Sequence, residues 1–90
     1  MKYNRKKGDA VLIKWVDPTT SAGWFELEDL EHLDIVGTVG YFVKEDENTL
    51  WCATTYHSGT KSFADQLIFP KGCILHVETI LEYDSKNDPS

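Results

Sequence analysis

Hydrophobic and polar side chains alternate along much of the chain, which is the pattern of half-buried β-strands. In the first such run Val11, Ile13 and Trp15 share one face, and the run stops before Pro18, which cannot donate a backbone hydrogen bond. Similar runs recur along the rest of the chain, separated by turn residues. Five strands are therefore predicted, at residues 11–16, 35–44, 49–56, 66–69 and 74–82.

The residues within and between these runs carry further signals. Gly37 and Gly40 interrupt the second strand, and glycine inside a strand often marks a bulge or the corner of a barrel. The acidic segment 45–48 predicts a hairpin turn between the second and third strands. The Pro-Lys-Gly break at 70–72 predicts a single 3-10 turn before the last strand.

The loop after the first strand contains a helical signal. Trp24, Leu27 and Leu30 recur at helical spacing, and acidic residues fill most of the positions between them. This spacing predicts one or two turns of helix within residues 24–33, beginning near a capping Ser21 or after Gly23.

The order of these elements favours one architecture, a small five-stranded SH3-like antiparallel barrel with one short helix in the loop after the first strand. Closure of the barrel would also remove exposed sheet edges. The alternative is an open α+β roll with the 24–33 helix packed across the sheet. In the preferred arrangement residues 1–9 form a basic N-terminal arm, 10–83 the barrel domain and 84–90 a flexible polar tail.

Length and charge narrow the classes of function. The 90 residues, 41% of them hydrophobic, suffice for one domain with one modest core. The net charge of −6 argues against a duplex-DNA binder that neutralises phosphates. Residues 1–14 have a balance of +4, from five basic residues and one acid, whereas residues 15–90 have a balance of −10. The basic arm is expected to be mainly solubilising, so nucleic acid is not expected as a partner. No apolar run is long enough to span a membrane, and no signal peptide follows Met1.

Four short motifs carry a resemblance to a known group of proteins. They are Val11-x-Ile13-x-Trp15-x-Asp17, Gly23-Trp24, Val39-Gly40-x-x-x-Lys44-Glu45-Asp46 and Ile68-x-Pro70-Lys71-Gly72-Cys73-Ile74. Over about residues 10–82 the chain resembles a set of small, uncharacterised proteins encoded by bacteriophages. This resemblance implies an SH3-like barrel, a phage origin and a place in the cytoplasm of a bacterial host. It implies no particular activity.

The familiar catalytic and metal-binding motifs are missing from the sequence. Cys52 and Cys73 lie in apolar stretches and are expected to be reduced, buried hydrophobes. The three histidines and two cysteines do not have the spacing of zinc ligands, and there is no phosphate-binding loop or nucleophile elbow. The sequence therefore predicts a protein that is not an enzyme and uses no metal or cofactor.

Binding is the class of function that remains. Aromatic rings that stack on a base, together with cations, are the groups that hold a nucleotide. Trp24 follows a glycine in the first loop and is expected to be partly exposed. Asp17 lies between Trp15 and Trp24 and is a candidate carboxylate for gripping a ligand beside a wall of these two tryptophans, with a turn bond to the local backbone as its alternative role. The candidate residues for ligand or partner binding are Trp24, Asp17, Tyr56, His57, Lys61 and Lys71.

Two functions are compatible with these residues. The first is counter-defence by a phage, in which the protein sequesters a nucleotide-type immune signal at an aromatic and cationic site between the subunits of a homo-oligomer. The second is that of an inhibitor or adaptor that acts on a host protein through the acidic body and the Trp24 loop.

Overall fold

The chain folds into one antiparallel β-sheet of five strands. A computed structural model describes residues 2–17, 23–24, 26–29 and 32–83. The strands are β1 (Ala10–Asp17), β2 (Asp34–Glu45), β3 (Thr49–His57), β4 (Ser62–Pro70) and β5 (Ile74–Leu81). They lie side by side in the order β4-β3-β2-β1-β5, and every neighbouring pair is antiparallel. This arrangement confirms the mostly-β class and the five strands predicted from the alternation.

The sheet has two free edges, formed by β4 and β5. In the part of the chain that the structure describes, no strand ladder joins β4 to β5, so hydrogen bonds do not close the sheet into a barrel. The predicted break between these strands is confirmed, because a 3-10 turn spans Lys71–Cys73. The backbone of this turn is tied to the β2–β3 hairpin, since the Lys71 amide donates to the Asn48 carbonyl at 2.8 Å.

The fourth strand is longer than its sequence pattern indicates. Prediction placed it at 66–69, whereas β4 begins at Ser62. Residues 62–65 are mostly small or polar and show no alternation of their own. They become a strand because they pair with the end of β3, with Tyr56 opposite Phe63. Pairing with a neighbour thus determines the secondary structure where local preference is weak.

The helix predicted at 24–33 is wrong. Within the described residues of this loop only a 3-10 turn forms, at Leu27–Asp29. Two of the apolar side chains that suggested a helix are exposed, by 104% for Trp24 and 81% for Leu27, and the third, Leu30, lies outside the described residues. Most helical stability in proteins comes from packing of an apolar face, and the described side chains of that face are unpacked. The alternative fold, an α+β roll, requires a helix at 24–33 that crosses the sheet, and the described residues of the loop form no such helix.

Strand β2 belongs to both halves of the sheet. Tyr41 is paired with Ala10 of β1 on one side and with Ala53 of β3 on the other. The pairing with β3 shifts between Phe42 and Lys44, which is a β-bulge. Bulges bend a strand and increase its twist. The bend lets β2 follow β1 over its first part and β3 over its last part.

The core lies on the inner face of this bent sheet. Its strands contribute alternate residues, as the pattern predicts: Val11 and Ile13 are fully buried, whereas Leu12 between them and Lys14 after them face outward. The Trp15 ring packs edge-on against Phe69 with ring centres 5.6 Å apart. The buried cluster consists of Val11, Ile13, Phe42, Leu50, Cys52, Phe69 and Val77.

The N-terminal segment is bound to the sheet. The amide of Gly8 donates to the Phe42 carbonyl at 2.9 Å, and the Phe42 amide donates back to the Asp9 carbonyl at 2.8 Å. The Asp9 side chain is buried and accepts from the Tyr83 amide at 2.8 Å. Arg5 donates through Nη2 to the Val77 carbonyl at 3.1 Å. These contacts connect the segment to β2, to β5 and to the residues after β5.

Gly40 is expected to be the least replaceable glycine of the sheet. A Cβ atom built there would lie 2.9 Å from the backbone oxygen of Ala53, whereas one at Gly37 would meet only the tip of Leu12 at 3.6 Å. Gly40→Ala should therefore lower the free energy of unfolding by about 1–3 kcal/mol. Thermal denaturation should show a fall in Tm of about 4–8 °C for each kcal/mol. Gly37→Ala, in the same strand, is the matched control and should change Tm little. Equal Tm values for the two variants would contradict the close approach at Gly40.

Candidate functional site

Aromatic rings gather at the end of the β3–β4 hairpin. Tyr56 and Phe63 stack with ring centres 4.8 Å apart and an angle of 26°. Tyr83 packs edge-on against Tyr56 at 5.5 Å, and Tyr41 lies at 6.2 Å on the other side. Tyr56, a predicted site residue, is thus the centre of the aromatic cluster, which we define as Tyr41, Tyr56, Phe63 and Tyr83.

Lys61 brings a cation to this cluster. Its Nζ donates to the Tyr83 hydroxyl at 2.6 Å and lies 5.3 Å from the centre of the Tyr83 ring. The residue has a φ of 59°, in the left-handed region, where the chain turns back from β3 to β4. The structure therefore brings together two of the predicted site residues, Tyr56 and Lys61.

His57 lies at the same end of the hairpin, where it stabilises the turn. Its Nδ1 accepts a hydrogen bond from the Thr60 amide at 3.1 Å. The turn is tied further by the hydroxyls of Thr60 and Ser62, which are 2.5 Å apart. Nδ1 of His57 is therefore engaged within the turn, and Nε2 is the ring nitrogen left to contact a ligand.

A groove runs along the outside of β2, β3 and β4, beside the aromatic cluster. It has a volume of about 620 Å³, within the range typical of small-molecule sites. Lys44 lies over the ring of Trp51, with Nζ 4.6 Å from the ring centre. Phe63 belongs to both the cluster and the groove. The lining consists of Val43, Lys44, Trp51, Cys52, Ala53, Phe63, Ala64, Asp65 and Gln66, and we call it the outer groove.

Polar groups enter the outer groove from β4. Asp65 has a φ of 58°, which is uncommon for a residue other than glycine. Its Oδ2 accepts from the Thr54 hydroxyl at 3.1 Å. Asp65 and the neighbouring Gln66 are both exposed. A carboxylate and an amide therefore stand at one side of the groove, with the Lys44 ammonium and the Trp51 ring among the other lining groups.

Lys71 takes part in a buried ion pair. Its Nζ donates to Oε1 of Glu45 at 2.5 Å, and the two side chains are only 8% and 9% exposed. The same carboxylate accepts from the amides of Tyr3 and Asn4 at 3.0–3.1 Å. Lys71 also lies 5.4 Å from the centre of the Tyr3 ring. The Lys71 ammonium is thus engaged in holding the N-terminal segment on the sheet.

Geometry separates Lys71 from the aromatic cluster. Lys71 follows Pro70, which pairs with Thr49 at the start of β3, whereas His57 ends that strand. Eight strand steps of about 3.3 Å separate Thr49 from His57, a distance of roughly 26 Å. One compact ligand does not bridge that distance.

The remaining two predicted site residues are near the first loop. Asp17 ends β1, is exposed, and is paired with Asp34. Trp24 is fully exposed, so it forms no wall with another ring. The wall of Asp17 between two tryptophans is absent from the described part of the loop, because Trp15 points inward to Phe69 and Thr38.

The sequence did not single out the outer groove as a site. A tryptophan within a strand of a small barrel is usually a core residue, so its position in a strand does not mark Trp51 as a binding residue. The signal that could have found it is the alternation itself. Leu50 and Cys52 are fully buried, so Trp51 between them must face outward.

The two cysteines differ in their burial. Burial raises the pKa of Cys52 to about 12, so its thiol stays protonated at neutral pH. Cys73 is half-buried, and both cysteines are reduced. Among the described residues no three His, Cys, Asp or Glu side chains are grouped closely enough to hold a metal ion.

Comparisons with known proteins give no relative from which a function could be inferred. No protein-family model, no curated protein and no solved structure matches the chain. Within the described ranges, none of the helices is long and apolar enough to cross a membrane.

The Glu45–Lys71 pair is expected to make stability depend on pH. Burial by itself would raise the pKa of Glu45. Hydrogen bonds from Lys71, Tyr3 and Asn4 and the charge of Lys71 together lower this pKa by more than burial raises it, so the net shift is downward. Its contribution is therefore complete above the ordinary pKa of 4.5 and is lost as the pH falls through the lower pKa of the folded state.

Glu45→Gln should remove this pH dependence. At pH 7 the free energy of unfolding should fall by about 1–3 kcal/mol, because buried donors lose a charged acceptor. Urea titrations at several pH values below neutrality should then show a smaller further loss towards acid than the unmodified chain shows. Glu47→Gln, which changes an exposed carboxyl in the adjacent turn, is the matched control. Identical acid profiles for Glu45→Gln and the unmodified chain would contradict the role of the pair.

Proposed function

We propose that this protein is a non-enzymatic binding protein and that the outer groove takes a nucleotide-type ligand. The observation that carries the proposal is the Trp51 ring with the Lys44 ammonium 4.6 Å from its centre, in a groove of about 620 Å³. Stacking on an aromatic ring is the interaction that nucleobases share. In this proposal the base replaces Lys44 over Trp51, and the displaced ammonium contacts a phosphate.

The charges of the groove limit what it can take. Lys44 is its single cation and Asp65 its single carboxylate, so the described lining has no net charge. Such a groove suits a ligand with few phosphates rather than a polyanion. Asp65 and Gln66 offer an acceptor and an amide for the edge of a base or for a ribose hydroxyl.

The aromatic cluster extends the site towards the hairpin. Phe63 connects the outer groove to Tyr56, and Lys61 supplies a second cation beside Tyr83. A dinucleotide could thus place one base at Trp51 and direct a phosphate towards Lys61. All of these residues come from one chain, so the site proposed here does not need a second subunit.

Sequestration of a signal nucleotide is the biological role that we propose for this binding. The phage origin that the resemblance implies is the reason for proposing a counter-defence role in the host cytoplasm, since the resemblance itself implies no activity. A binding protein without catalytic groups would act by lowering the free concentration of its ligand. The proposal therefore requires binding without turnover.

Trp51→Ala is the test of the site. Calorimetry against nucleosides, nucleoside monophosphates, cyclic dinucleotides and ADP-ribose derivatives should detect binding, and Trp51→Ala should weaken it about 5- to 150-fold, which corresponds to about 1–3 kcal/mol of stacking. Trp24→Ala removes the same side chain from an exposed position and should leave the affinity unchanged. Circular dichroism checks that each variant is folded. Absence of heat for the whole panel, or equal affinity of both variants, would refute the proposal.

Lys44→Met separates the phosphate contact from the stacking. The unmodified chain should bind a monophosphate more tightly than the matching nucleoside. Lys44→Met should abolish that difference while nucleoside binding remains. Unchanged discrimination in this variant would show that Lys44 does not contact the phosphate.

The second candidate function is inhibition of a host protein through the first loop. The observation that favours it is the complete exposure of Trp24, since exposed tryptophans are frequent hot spots of protein interfaces. A host protein captured by the unmodified chain should be lost with Trp24→Ala and retained with Trp51→Ala. Retention by Trp24→Ala would remove this loop from the interface.

A further inference from the structure

An aliphatic patch covers the outer face of β1 and β2. Leu12 is paired with Val39, and Val16 with Ile35, so each pair lies on one face of the sheet. Ile35 is 67% exposed and Val39 is 61% exposed. We call these four residues the β1–β2 patch. One-sided burial would normally leave polar residues on this face.

Two residues of the β1–β2 patch, Ile35 and Val39, are exposed, whereas Leu12 and Val16 are half-buried. The core lies on the opposite face, where Ile13 is fully buried and Val77 nearly so. The N-terminal segment contacts Phe42, Glu45 and the Val77 carbonyl instead. The two aliphatic pairs are separated along the strands by Lys14 and Gly37, and exposed aliphatic groups on a sheet face are common at interfaces.

Charged side chains lie on the patch and beside it. Lys14 faces outward between Leu12 and Val16, and Glu78 is opposite Leu12 on β5. The outer face of the patch thus carries one cation and one carboxylate, and the exposed Asp17 and Asp34 end the two strands beside it. Lys14 and Glu78 are complementary charges that two copies placed face to face can pair with each other.

The centre of the patch is also open. Gly37 is paired with Lys14 and has no side chain, so it leaves a depression between the two aliphatic pairs. A Cβ atom there would only touch Leu12 at 3.6 Å, so folding of the chain does not demand the glycine. The gap beside Lys14 leaves room for a side chain from another molecule.

We propose that the β1–β2 patch is the interface of a homodimer with two-fold symmetry. A two-fold interface uses the same surface on both copies, so it needs a patch that is complementary to itself. The aliphatic residues would meet their counterparts, and Lys14 of each copy would pair with Glu78 of the other. This interface is independent of the proposed ligand site, because the outer groove lies on β2, β3 and β4.

Sedimentation velocity over a hundredfold range of concentration tests the dimer. The unmodified chain should shift from monomer to dimer as concentration rises. Val39→Lys should remain monomeric throughout, with its melting temperature preserved. Ile68→Lys, a change at a similarly exposed aliphatic position on β4, is the matched control and should still dimerise. A monomeric unmodified chain, or dimers of Val39→Lys equal to those of the unmodified chain, would overturn the proposal.

Charge reversal tests the pairing without altering the aliphatic residues. Lys14→Glu and Glu78→Lys should each weaken dimerisation, and the double variant should restore it, because a self-complementary patch keeps one charge of each sign. Failure of the double variant to recover would overturn the paired arrangement.

Removal of residues 84–90 distinguishes a second copy from the chain's own end. Dimers that appear only after this truncation would show that the tail covers the patch, and would also overturn the proposal.

Discussion

Strand β2 has to pair with β1 along its first part and with β3 along its last part, and the rest of the molecule depends on this sharing. At the point of transfer Tyr41 has a partner on each side, and a bulge between Phe42 and Lys44 follows at once. Gly40 allows the backbone of β3 to approach so closely that a Cβ atom would lie 2.9 Å from Ala53 oxygen. Among the described residues, all the buried side chains of the small core come from strands. The outer face of the β1–β2 half carries the β1–β2 patch, and that of the β2–β4 half carries the outer groove.

The N-terminal segment is held against the sheet by polar contacts. Glu45 is their main acceptor, since its carboxylate binds two backbone amides and the Lys71 ammonium. Some of the basic residues near the start of the chain therefore help to hold the fold together. Arg5 reaches the Val77 carbonyl on the edge strand β5, and the Gly8–Asp9 backbone extends the pairing with β2. Only some of the basic residues of this segment are left to interact with other molecules.

The candidate site follows from the outer face of the second half of the sheet. Alternation buries Leu50 and Cys52 and so turns Trp51 outward, next to Lys44 on the neighbouring strand. The β3–β4 hairpin then adds Phe63 and Tyr56, and the residues beyond β5 add Tyr83. Three consecutive strands and the residues beyond β5 thus form one aromatic and cationic surface. Of the six residues predicted for binding, Tyr56, His57 and Lys61 belong to this end of the molecule. Lys71 is committed to Glu45, and Trp24 stands alone in the first loop.

The sequence by itself determined the strands, their inward and outward faces, and the 3-10 turn before β5. Those features depend on local alternation and on proline and glycine, which act within a few residues. Only the tertiary structure decided the length of β4, which forms by pairing with β3, and the outcome in the first loop, where the described residues form only a 3-10 turn and leave Trp24 and Leu27 exposed. The grouping of Trp51 and Lys44 with Phe63 and Asp65, and the burial of Lys71, likewise depend on register between strands. Register depends on turns and bulges such as the shift between Phe42 and Lys44, which the alternation of hydrophobic and polar residues does not specify.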